Sequence, residues 1–108
     1  MDEQILIELV TGICAAFEKQ VIRIILYGSV ARGTETAESD VDIAVLIHGN
    51  MDEQTEERLS AFVVEMNLKY DRVFSVIDID YSDYTELENI SPFYQNLKQE
   101  GIVLWNAA

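Results

Sequence analysis

Residues 21–47 read VIRIILYGSVARGTETAESDVDIAVLI, and this stretch decides the fold. Its first part, Val21 to Tyr27, and its last part, Val41 to Ile47, are almost entirely apolar and rich in β-branched side chains. Short apolar runs of this kind are typical of strands buried on both faces of a sheet. Gly28 breaks the first run and begins a short polar turn. We therefore expect two central strands, with a turn and a short helical segment between them.

The start of that turn predicts an anion site. Gly28 follows a buried strand and can adopt backbone angles that strain other residues. Ser29 and the neighbouring amides would lie at the N-terminus of the short helical segment. Because N–H groups are unpaired at such a terminus, it suits the phosphates of a nucleotide.

Two acids at the start of the second strand predict a metal site. Asp40 and Asp42 are two residues apart, so their side chains share one face while Val41 and Ile43 point to the core. Carboxylates on one face repel each other unless a cation lies between them. Mg²⁺ prefers oxygen ligands, and two such ions can hold a triphosphate during an in-line displacement. We therefore expect Mg²⁺, with two ions, at this pair.

Helices are predicted on either side of this unit. Leu6, Leu9, Val10, Ile13 and Phe17 follow the spacing of one helical face. The chain after the second strand predicts an amphipathic helix, a third strand, a helix that begins at Ser91-Pro92 and ends at Gly101, and a short edge strand. The ranges are 52–70 for that helix, 73–80 for the strand and 102–105 for the edge strand. We expect one α/β (α+β) domain over residues 1–108, with a small mixed sheet flanked by helices.

Composition limits the possible partners. The 108 residues carry 7 Lys and Arg against 20 Asp and Glu, a formal net charge of −13. Nucleic-acid affinity comes from basic side chains that displace counterions, so we expect no autonomous nucleic-acid binding. No apolar run reaches the roughly 18 residues of a membrane span. Cys14 is the only cysteine, which excludes an intramolecular disulfide and a cysteine zinc site and fits a cytoplasmic protein.

The Gly28–Asp42 stretch resembles the nucleotidyltransferase superfamily that includes DNA polymerase beta. The family pattern is Gly-Ser, a spacer and Asp-x-Asp, and here ten residues separate Ser29 from Asp40. The inner Ala31-Arg32-Gly33 and Ser39 match the bacterial minimal nucleotidyltransferases, and the closing EGIVLW also resembles theirs. The resemblance implies a polymerase beta-like palm fold. It also implies that Gly28, Ser29 and Arg32 bind ATP as the substrate, and that Asp40 and Asp42 hold magnesium.

The family also has a third carboxylate on a later strand, which ligates metal or assists the deprotonation of the acceptor. Asp78 and Asp80 are both candidates, and because they share one strand face the alternation of side chains cannot separate them. We assign the catalytic and metal-binding role to Asp78, which lies inside the strand. Another alignment to the family places Ser75 at this position, in which case the general base is missing or displaced.

The resemblance implies an MntA-type antitoxin. Such a protein transfers AMP from ATP to a tyrosine hydroxyl of a HepT-type toxin, an RNase encoded nearby, and thereby silences it. Two alternatives remain: an inactive antitoxin that acts by binding alone, and a small-molecule nucleotidyltransferase whose pocket lies between subunits. Homo- and hetero-oligomers both stay open.

Overall fold

The computed structural model describes residues 1–107 as a four-stranded sheet with helices on both faces. A single turn of 3₁₀ helix, Glu18–Gln20, connects the first helix to the first strand. In chain order the elements are α1 (Glu3–Phe17), β1 (Val21–Tyr27), α2 (Gly28–Arg32), β2 (Val41–Ile47), α3 (Glu53–Tyr70), β3 (Phe74–Asp80), α4 (Tyr81–Leu87), α5 (Pro92–Glu100) and β4 (Ile102–Asn106).

The strand order is β3-β2-β1-β4, which makes β1 and β2 the central strands. β1 is antiparallel to both of its neighbours, whereas β2 and β3 are parallel and are connected through α3. The sheet is therefore mixed. The predicted fold class, a small mixed sheet flanked by helices, is confirmed.

The two faces of the sheet support separate cores. Leu9 of α1 and Met66 of α3 pack with Val45 on one face. Tyr84 of α4 and Leu97 of α5 lie in the cluster on the other face. Because the central strands are covered on both sides, nearly every position in them is apolar.

Capping residues set the helix ends that the sequence predicts. The Asp52 carboxylate accepts the Thr55 N–H at 2.7 Å, and the Ser91 hydroxyl accepts the Tyr94 N–H at 3.3 Å. Gly101 ends α5, as predicted, and its N–H donates to the Leu97 carbonyl. Each cap satisfies a backbone group that the helix itself leaves unpaired.

The sequence analysis missed one helix. α4 begins directly after β3, where we expected only a connection. The Asp80 carboxylate caps it by accepting the Ser82 N–H at 3.1 Å. Within residues 1–107, no helix combines the length and apolar character that crossing a membrane requires.

Candidate functional site

The turn from β1 into α2 lies directly against a carboxylate. Gly28 has a φ of +75°, in the left-handed region that favours glycine. A Cβ on Gly28 would collide with Oδ2 of Asp42 and come within 3.2 Å of its Cγ. Glycine is therefore required here on two grounds, the backbone angle and the close approach of the carboxylate.

The same carboxylate has an acidic neighbour. Asp42 pairs with Tyr27 across the antiparallel strands, and Asp40 precedes β2. Burial raises the pKa of Asp42, the negative charge of Asp40 raises it further, and the positive charge of Arg32 opposes both effects. The charge of Asp40 therefore destabilises the ionised form of Asp42, and a cation between the two carboxylates would relieve that repulsion.

The donor set fits magnesium that is shared with a nucleotide. Within the described part of the chain, no three His, Cys, Asp or Glu side chains are grouped so as to hold a metal ion. Mg²⁺ is usually bound through one or two carboxylates together with substrate phosphates and water. Two carboxylates beside a turn that suits phosphates match that mode, in which Asp40 and Asp42 supply the protein ligands.

Hydrogen bonds fix the loop that carries Asp40. The Ser29 carbonyl accepts the Thr34 N–H at 3.0 Å, just after α2 ends. At the other end of the loop, Nη2 of Arg72 donates to the Ser39 carbonyl at 3.4 Å. The Val41 N–H donates to the Val73 carbonyl at 2.8 Å. The position of Asp40 is thus set by contacts with both α2 and the segment before β3.

Arg32 extends from the end of α2 and is half-exposed. Its Nη1 lies 3.7 Å from Oε2 of Glu100 at the end of α5. Glu100, rather than an acid of the loop that follows α2, is therefore the ion-pair partner of Arg32. A half-exposed pair of this kind is weak, so Arg32 is free to move toward a triphosphate.

The structure does not bring Asp78, the third predicted carboxylate, next to Asp42. β3 lies parallel to β2 with Ser75 beside Asp42 and Asp78 beside Val45. Residues at one level of neighbouring strands point to the same face, and side chains alternate along each strand. Asp78 therefore shares the face of Val45 and lies about 10 Å further along the sheet than Asp42. In this register the residue of β3 beside Asp42 is Ser75, and Asp78 is not brought to the carboxylate pair.

Asp80 does not replace Asp78 at the site. It pairs with Ile47 at the far end of β2, and its carboxylate caps α4. The Asp80–Asp83 spacing, an acid at the N-cap and another three residues on, is a sequence signal that could have revealed this helix. Glu100 lies in the closing EGIVLW motif, and nothing in the sequence alone indicates that it pairs with Arg32.

Comparisons with known proteins show the family to which the chain belongs. The family model for polymerase beta nucleotidyltransferases matches residues 12–107. A proposed protein adenylyltransferase of Methanocaldococcus jannaschii is 33% identical over 104 residues, which cover 96% of this chain and 98% of the relative.

Solved structures show a similar fold. A chain in the crystal structure of a toxin–antitoxin complex with AMP-PNP has a TM-score of 0.65 and 21% identity. The match covers 94% of this chain and 73% of that one. A chain in the complex of a tri-AMPylated HEPN toxin with an MNT antitoxin from Shewanella oneidensis has a TM-score of 0.62 and 17% identity. The match covers 99% of this chain and 74% of that one. At identities this low, the similarity shows a common fold only.

Proposed function

The chain belongs to the polymerase beta nucleotidyltransferase family, and we propose that it transfers AMP from ATP to a tyrosine hydroxyl of a partner protein. The partner is a HepT-type toxin, and the chain acts as its MntA-type antitoxin. One observation carries the proposal: the Asp42 carboxylate lies against the Gly28 turn, with Asp40 beside it. This observation supports the proposal because a glycine turn that suits phosphates and a carboxylate pair lie side by side.

The relatives support the nature of the acceptor. The Methanocaldococcus jannaschii relative matches almost end to end and is named for transfer of adenylate to protein. The structural neighbours are toxin–antitoxin complexes, one with AMP-PNP and one with an AMPylated toxin. A net charge of −13 also favours a basic protein partner over a nucleic acid.

The residues then have separate tasks. The backbone at Gly28 and Ser29 binds phosphate oxygens, and Arg32 leaves Glu100 to pair with them. Asp40 and Asp42 would hold magnesium, which when bound neutralises the charge that develops on the triphosphate. The tyrosine oxygen forms a bond to the α-phosphorus, the bond from that phosphorus to the bridging oxygen breaks, and pyrophosphate leaves. The phenolic proton passes to solvent, because the position beside Asp42 is a serine.

A second candidate function is binding without transfer. Ser75 occupies the strand position beside Asp42 where a third carboxylate would meet the pair, and a serine hydroxyl cannot serve as a general base at neutral pH. An antitoxin of this kind would hold the toxin, and the nucleotide, without any chemical step.

Labelled ATP separates the two functions. The chain is incubated with Mg²⁺, the HepT-type protein encoded nearby, and ATP labelled at either the α- or the γ-phosphate. Transfer predicts label on the partner from the α-position only. Asp40→Asn with Asp42→Asn should abolish this transfer, while Glu57→Gln with Glu65→Gln should retain it, since this control removes the same charge from exposed positions on α3. A stable complex that never acquires label would favour the binding-only antitoxin.

A further inference from the structure

A cleft opens beside the phosphate-binding turn, on the face of the sheet that carries α5. Its volume is about 220 Å³. Gly28 and Arg32 line one part of it, so the cleft is continuous with the site described above. The rest of the wall comes from β1 and α5: Tyr27, Phe93, Asn96, Leu97 and Glu100.

The wall of this cleft includes an aromatic ring with an exposed surface. Phe93 remains 39% exposed although it is a large apolar side chain at the start of α5. Its ring meets Tyr27 edge to face, with centroids 5.5 Å apart and planes at 79°. This contact restrains the Phe93 ring and leaves apolar surface toward the cleft. Exposed aromatic rings bind nucleobases by stacking, which is worth about 1–3 kcal/mol per base.

One polar side chain in the cleft is not engaged by the protein. Among the side-chain hydrogen bonds at α5, the Ser91 hydroxyl accepts the Tyr94 N–H and the Gln95 amide donates to the Asn89 carbonyl. None of the described residues bonds to the Asn96 side chain, which is exposed on the cleft wall. An asparagine amide offers one acceptor and two donors close together.

We propose that this cleft binds the adenine ring of the nucleotide, with Phe93 stacked on the base and Asn96 bonded to its N6 and N7 edge. This inference rests on the proposed function and names the base that the site selects. Adenine presents a donor at N6 beside an acceptor at N7, which is the complement of an amide. Guanine presents two acceptors on the same edge and leaves the amide carbonyl without a donor. A pyrimidine offers less surface to Phe93.

Calorimetric titration of Mg-ATP and Mg-GTP into the full chain tests the assignment. The wild-type protein should bind ATP more tightly than GTP. Asn96→Ala should weaken ATP binding about fivefold or more and weaken GTP binding less, so that the preference for ATP falls. Phe93→Leu should weaken binding of both nucleotides. Gln99→Ala is the matched control, since Gln99 lies on the same helix, is exposed and does not line the cleft.

The outcomes separate this inference from the proposed function. Equal ATP-to-GTP ratios in the wild type and in Asn96→Ala would overturn the adenine site, and so would equal weakening by Asn96→Ala and Gln99→Ala. If ATP binding nevertheless required Asp40 and Asp42, the proposed function would stand without the adenine site. A wild-type protein that bound neither nucleotide would overturn both.

Discussion

Replacing Gly28 by alanine tests the contact on which the site depends. Gly28 and Gly33 have nearly the same backbone angle, with φ of +75° and +74°. Alanine in this region costs about 1–2 kcal/mol, partly offset because it also restricts the unfolded chain. These terms are common to both positions. The surroundings differ: a Cβ at Gly33 meets nothing within 4 Å, whereas one at Gly28 collides with the Asp42 carboxylate.

The collision adds a further cost at Gly28 alone. Inserting a methyl group where there is no room typically costs about 1–3 kcal/mol. We therefore expect Gly33→Ala to lower the free energy of unfolding by about 1 kcal/mol and Gly28→Ala by about 2–4 kcal/mol. Urea unfolding followed by circular dichroism measures both. In an Asp42→Ala background, the added cost of Gly28→Ala should fall to that of Gly33→Ala. Equal losses in the two single variants, or no relief in that background, would refute the close approach of turn and carboxylate.

Three further predictions follow from the register and charges of the site. The pKa of Asp42 is raised by burial and by Asp40, so its ionised form destabilises the fold. The stability of the wild type relative to Asp42→Asn should therefore be highest below the unfolded pKa near 3.8 and should decline as the pH rises through the higher folded pKa. A pH-independent difference between their urea midpoints would contradict this. Asp78→Asn should leave AMP transfer unchanged in the labelled-ATP assay, and a large fall in transfer would show that Asp78 belongs to the site. Asp80→Ala should lower the free energy of unfolding by about 0.5–2 kcal/mol, because α4 loses its cap. Ser75→Asp should increase Mg²⁺-dependent transfer, because it places a third carboxylate beside Asp42, and a decrease in the same assay would contradict that placement.

The sequence predicted the centre of the fold because its signals there are local. Apolar runs flank the Gly28 turn, and the two acids Asp40 and Asp42 are only two residues apart in the sequence. The caps at Asp52 and Ser91 are local as well, and the helices after them begin where expected.

The register of β3 is not a local property. β2 and β3 are parallel and separated in sequence by α3, so their alignment depends on how that helix packs. Asp78 lies between two isoleucines, a context that suits either face of an edge strand. The pairing of Arg32 with Glu100 and the cleft beside Phe93 likewise arise only when α5 packs on the sheet.

The dependence of ATP affinity on magnesium tests the central claim most directly. The claim is that Asp40 and Asp42 bind magnesium together with a nucleotide held at the Gly28 turn. Calorimetric titration of ATP is carried out with and without Mg²⁺, for the wild type and for Asp40→Asn with Asp42→Asn. We predict that Mg²⁺ strengthens ATP binding in the wild type and has no such effect in the double variant. Equal strengthening in both proteins, or wild-type binding that is indifferent to Mg²⁺, would contradict the account.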